Sequence, residues 1–129
     1  MAGSTTVSHY TIGVVRRIIV DWVGDSADGT VPDTVLPVFD GRLFELTTNP
    51  GATAPTDNYD ITIIDAEGID RLQGLGANRD TANTESLPLV YSGSTIHPVI
   101  SRTDVLTLKI AGNAVNSAAG RIILLYGPS

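Results

Sequence analysis

Residues 14–23 read VVRRIIVDWV, and this stretch decides how the rest of the chain is read. In an extended backbone successive side chains point to opposite faces. Val14, Ile18, Val20 and Trp22 then share one face with Arg16, while Val15, Ile19 and Val23 share the other with Arg17 and Asp21. Two largely apolar faces predict a strand covered on both sides, in the middle of a layered β domain. The residue types agree, since β-branched side chains suit a pleated, half-buried surface better than a helix.

Turn chemistry flanks that strand. Residues 24–29 (GDSADG) end in Asp28-Gly29, a tight-turn pair, and Asp40-Gly41 is a second. Between them, residues 31–39 are strand-like but carry Pro32 and Pro37, which predicts an edge or an irregular segment. In residues 42–48 (RLFELTT), alternation places Phe44 and Leu46 on one side and Leu43, Glu45 and Thr47 on the other. Residues 49–58 (NPGATAPTDN) read as a long surface loop.

Further on, Tyr59, Ile61 and Ile63 form one row, and Leu106, Leu108 and Ile110 form another. Residues 66–80 hold the one helical candidate, which Gly68, Gly74 and Gly76 limit to a turn or two. Residues 87–91 and 96–101 read as short strands parted by the hairpin turn Ser92-Gly93-Ser94, with Pro88 and Pro98 marking edges. Residues 121–126 (RIILLY) form a nearly continuous apolar strand. The result is an all-β chain of about eight short strands with no amphipathic helix to cover a single sheet. A two-sheet β-sandwich is predicted, and jelly-roll topology is one of the strand orders the pattern allows. Residues 1–13, small and polar at their start, read as a flexible N-terminal arm, and residues 14–129 as one sandwich domain.

Composition narrows the chemistry. The 129 residues suit one domain with a core large enough to need no disulfide or metal. With no Cys, thiolate zinc sites, iron–sulfur clusters and cysteine nucleophiles are excluded. A net charge of −6 argues against nucleic acid as the partner. No run approaches the roughly 18 apolar residues of a membrane-spanning helix. Residues 1–13 lack the basic and apolar regions of a signal peptide, so synthesis in the cytoplasm is expected.

Candidate reactive groups are few. His9 and His97 are the only imidazoles, and neither adjoins a nucleophile-elbow pattern, so no catalytic residue is assigned and no enzyme is expected. Gly74-Leu75-Gly76 begins like a dinucleotide fingerprint, but Arg79 occupies the third glycine position. Asp65, Glu67 and Asp70 surround a glycine turn and could ligate calcium, yet EF-hand spacing is not met and Asp-Gly turn chemistry, which needs no metal, is the favoured reading. Asp25 with Asp28 and Asp57 with Asp60 are smaller groups of the same kind. No metal or other cofactor is therefore assigned. Arg16 and Arg17 point to opposite faces, as ion-pair partners or as an anchor to an acidic surface, and Trp22 reads as core.

Three stretches carry a resemblance: residues 17–34 (RIIVDWVGDSADGTVPDT), 49–73 (NPGATAPTDNYDITIIDAEGIDRLQ) and 106–127 (LTLKIAGNAVNSAAGRIILLYG). Together they resemble small virion-associated head proteins of tailed bacteriophages. That resemblance implies a capsid decoration, or cement, protein that sits on the capsid surface, bridges neighbouring major capsid protein subunits and acts as a homotrimer or homodimer. It places the N-terminal arm and the 49–58 loop at the capsid contact. The rival readings are a tail- or fibre-associated β-module and a carbohydrate- or calcium-binding sandwich that recognises a host surface.

Overall fold

The computed structural model describes residues 2–91 and 93–128. In chain order the strands are β1 (Ser4–Tyr10), β2 (Arg16–Val23), β3 (Thr34–Val35), β4 (Gly41–Pro50), β5 (Asp60–Ile64), β6 (Glu85–Pro88), β7 (Val99–Ile100), β8 (Thr107–Ala111) and β9 (Ala119–Gly127). They form two antiparallel sheets, as the two-sheet sandwich requires. The larger has the order β1-β2-β9-β4-β6, with β7 also on β4, and the smaller the order β3-β8-β5. The chain runs as a folded-over ribbon: β2 pairs with β9, β3 with β8, and β4 with β6 and β7. From β2 to β6 the ribbon passes alternately into the large and the small sheet, β7 stays in the large one, and β8 and β9 resume the alternation.

The core lies between the sheets. Ile18, Val20 and Trp22 of β2 and Ile122, Leu124 and Tyr126 of β9 meet Tyr59, Ile61, Ile63, Leu106 and Leu108 from the small-sheet side. These are the alternate rows that period-2 patterning predicts. Their burial supplies the main stabilisation, at about 25 cal/mol per Å² of apolar surface removed from water.

Four expectations are corrected. Residues 4–10 are not a flexible arm: all seven pair with β2, from Ser4 opposite Val23 to Tyr10 opposite Arg17. Polar β-branched Thr and half-buried Val7 make an acceptable edge strand once β2 offers a template. Second, β2 is interior to its sheet, but on its outer face only Ile19 is buried while Arg17 and Val23 are exposed, and Val14 and Val15 lie before the strand, exposed. Third, the alternation in β4 breaks at a bulge, where the register on β9 shifts between Leu43 and Glu45. Leu43 and Leu46 therefore both point inward, fully buried, because one extra residue reverses side-chain parity. Fourth, β6 and β7 do not form a hairpin with each other. They lie along the same edge of β4, and the residues between them loop out, closed by the Tyr91 N–H donating to the Ile96 carbonyl at 2.9 Å. Ser92, part of the predicted turn, lies outside the described residues.

No helix forms in residues 66–80. This segment instead folds as successive turns along the outer edge of β5. Arg71 N–H donates to the Ile63 carbonyl at 2.7 Å, Ile61 N–H to Gly76 at 2.9 Å, and Arg79 N–H to Tyr59 at 2.7 Å.

Candidate functional site

The acidic groups singled out from the sequence are turn-formers. Asp70 accepts three backbone N–H groups, from Ile63 (3.1 Å) and Leu72 (3.0 Å) on Oδ1 and from Gly74 (2.9 Å) on Oδ2. Asp65 Oδ1 accepts from Glu67 (2.9 Å) and Ile69 (3.0 Å), and its other oxygen lies 3.7 Å from Arg71. Carboxylate oxygens engaged with amide donors in this way face the chain rather than a common centre. Among the described residues no group of three or more His, Cys, Asp or Glu converges as a metal site. Asp25 caps Ala27 (2.6 Å), Asp60 receives Asn78 (3.0 Å), and Asp57 receives Thr81 (3.2 Å). Asp28 holds Thr30 through both its amide and its hydroxyl, and these bonds lower the Asp28 pKa from its ordinary value.

The two histidines are also structural. His9 Nε2 lies 2.6 Å from the Tyr126 hydroxyl, a bond from β1 across β2 to β9. Partial burial, and then the Arg16 charge, lower the His9 pKa, while burial raises that of Tyr126. The phenol thus stays protonated and the imidazole neutral near pH 7. His97 Nδ1 lies 2.6 Å from the Leu89 carbonyl, and its ring meets Phe44 edge-on at 5.1 Å. Among the described residues neither imidazole is hydrogen-bonded to a serine hydroxyl. Residues 74–76 lie in the turns beside β5, and Arg79 bonds back to the Ala77 carbonyl at 3.1 and 3.2 Å. Trp22 is core, 1% exposed, against Tyr59.

Of the predicted 49–58 loop, Asn49 and Pro50 belong to β4, and the rest is pinned to the sandwich. Gly51 N–H donates to the Ala119 carbonyl (2.8 Å), Ala119 N–H to Thr53 (2.9 Å), and Thr56 N–H to Asn113 Oδ1 (3.0 Å). Asn113 also donates to the Gly29 carbonyl at 2.7 Å, so one side chain ties three loops together. Sequence reading missed this residue because its partners are 57 and 84 positions away and no local pattern marks them.

What stands out is the end of the β1–β2 hairpin. Tyr10, Ile12, Val14 and Val15 are 57%, 96%, 71% and 54% exposed. A depression of about 560 Å³ on the outer sheet face is lined by Tyr10, Ile12, Val15, Arg17, Ile19 and Leu125. A second, of about 510 Å³, is lined by Val14, Arg16, Asp40, Val99, Ile100 and Tyr126 among others. The connection therefore offers apolar side chains to two concavities, with two arginines at its base. Arg16 Nε is held by the Gly13 carbonyl at 3.0 Å, whereas exposed Arg17 has no ion-pair partner among the described residues. Such a surface can bind by hydrophobic contact and attract an acidic neighbour.

No protein-family model, curated protein or solved structure matches the chain.

Proposed function

We propose that this chain is a non-enzymatic structural protein of a bacteriophage virion, a capsid decoration protein that bridges neighbouring major capsid protein subunits and acts as a homo-oligomer. The observation that carries the reading is the apolar hairpin end at residues 10–15, where Ile12 stands almost wholly in solvent. Each such side chain gains about 1.5–3 kcal/mol when fully buried, so a docked hairpin recovers energy that the free protein forgoes. The ribbon wrapping, with β2 on β9, β3 on β8 and β4 on β7, agrees with a jelly roll, an architecture that recurs in viral capsid proteins.

The mechanism is mass action. Copies that bind the assembled shell and not its separated subunits stabilise the shell by their binding free energy, with no reactive group involved. Because β1 is a strand and the 49–58 loop is fastened, the contact falls to the hairpin end rather than to an arm. Arg17 supplies a positive charge there, in a chain of net charge −6. The test is addition of the purified protein to phage heads that lack it. Binding together with a raised shell melting temperature is expected, and heads that neither bind the protein nor gain stability would overturn the proposal.

A further inference from the structure

Sheet edges expose unpaired N–H and C=O groups, and natural proteins usually cover or interrupt them. Three of the four edges here are managed. The β6–β7 edge is broken by a loop and carries Pro88 and Pro98. Strand β3 has two residues and is flanked by Pro32 and Pro37. The outer edge of β5 is bonded by the 70–79 turns.

Strand β1 is the exception. Its sequence, STTVSHY, has no proline and no Asp, Glu, Lys or Arg, and its seven-residue register on β2 is free of bulges. Among the described residues no backbone hydrogen bond other than those to β2 involves residues 4–10. The side chains are fastened from within, His9 to Tyr126 at 2.6 Å and Thr5 to Thr34 at 2.8 Å, so the strand is held in place with its far edge free.

We propose that β1 pairs antiparallel with β1 of a second copy, joining the two large sheets into one across a two-fold axis. A second copy fits because the strand is complementary to itself. Full overlap of the seven residues puts the axis at Val7, with Thr6 opposite the partner's Ser8 and Ser4 opposite the partner's Tyr10. Alternation is preserved across the axis: Ser4, Thr6, Ser8 and Tyr10 keep to the outer face, and Thr5, Val7 and His9 to the inner. Val7, half-buried against the core, then meets the partner's Val7 and continues that core between subunits. The edge carries no Asp, Glu, Lys or Arg, and its one imidazole, His9, is turned inward to Tyr126, so two copies of net charge −6 approach without like charges in contact. Antiparallel pairing of one edge with itself also closes after two subunits, leaving no route to a fibre. This contact supplies the self-association in the reading above and rests on that part of it alone.

Light scattering on the size-excluded protein at micromolar concentration tests it, with two double variants. The expected mass is about twice 13.5 kDa. T6K/S8K sets lysine against the partner's lysine and gives a monomer, whereas T6K/S8E sets lysine against the partner's glutamate and keeps the dimer. A monomeric wild-type protein, or two variants of equal mass, overturns the inference. The isolated protein suffices, so a monomer leaves head binding untouched, and a dimer that fails to bind heads leaves this contact standing.

Discussion

Gly120 lies beneath the indole of Trp22. The two are register partners on β9 and β2, and a Cβ at position 120 would come within 2.9 Å of three indole atoms. The largest side chain of the core thus depends on the absence of one at its cross-strand neighbour. Gly120→Ala is expected to cost about 1–3 kcal/mol, the range for overpacking a filled core. Urea unfolding followed by Trp22 fluorescence measures it. An unchanged midpoint would mean that the indole is free to move aside.

Asp70 tests the turn assignment of the acidic cluster. Asp70→Ala removes the acceptor of three amide donors, among them the N–H of Ile63 in β5, and is expected to cost about 2–3 kcal/mol. Calcium should leave the melting temperature of the native protein where chelator leaves it. A calcium-dependent rise abolished by Asp65→Asn would instead assign a metal role to the cluster.

His9 gives stability a pH dependence of known sign. The unfolded ring titrates near 6.5, and in the folded chain partial burial and the Arg16 charge bring its pKa lower. Between those two values the unfolded state holds more protons, so stability rises with pH. The contribution is present in full above 6.5 and is lost as pH falls through the folded value. Unfolding of His9→Gln compared with wild type should show a shallower loss below about pH 6.5. Parallel curves would show that the ring does not sense its surroundings.

Ile12 separates fold from contact. At 96% exposed it supports nothing within the molecule, so Ile12→Asp should shift stability by no more than about 0.5 kcal/mol. Its binding to phage heads should nevertheless fall sharply, because a carboxylate is costly to bury in an apolar contact. A pull-down of variant and wild type on the same heads decides between them. Equal binding would place the contact away from the hairpin end.

Much of the architecture was legible where local rules and tertiary structure agree. Ile61 and Ile63, and Leu106 and Leu108, alternate as a half-buried strand must, and all four are buried. Where parity breaks, reading fails: the bulge between Leu43 and Glu45 puts Leu43 in the core with Leu46, from which alternation separates it, and no residue type announces it. β1 was missed for another reason. Its Ser and Thr carry no strong periodic signal, and its stability comes from pairing with β2, a contact that composition does not encode. Of the candidate site, Arg16 and Arg17 were noticed, but the exposure of Ile12, Val14 and Val15 follows from where the hairpin ends. Val14 and Val15 read as part of the predicted strand, and Ile12 as part of the arm before it.

The proposed function makes the chain a component of phage heads, and quantitative mass spectrometry of purified virions tests that claim most directly. The account predicts hundreds of copies per particle, in fixed ratio to the major capsid protein. Absence from the particle, or a handful of copies at the tail, would contradict it.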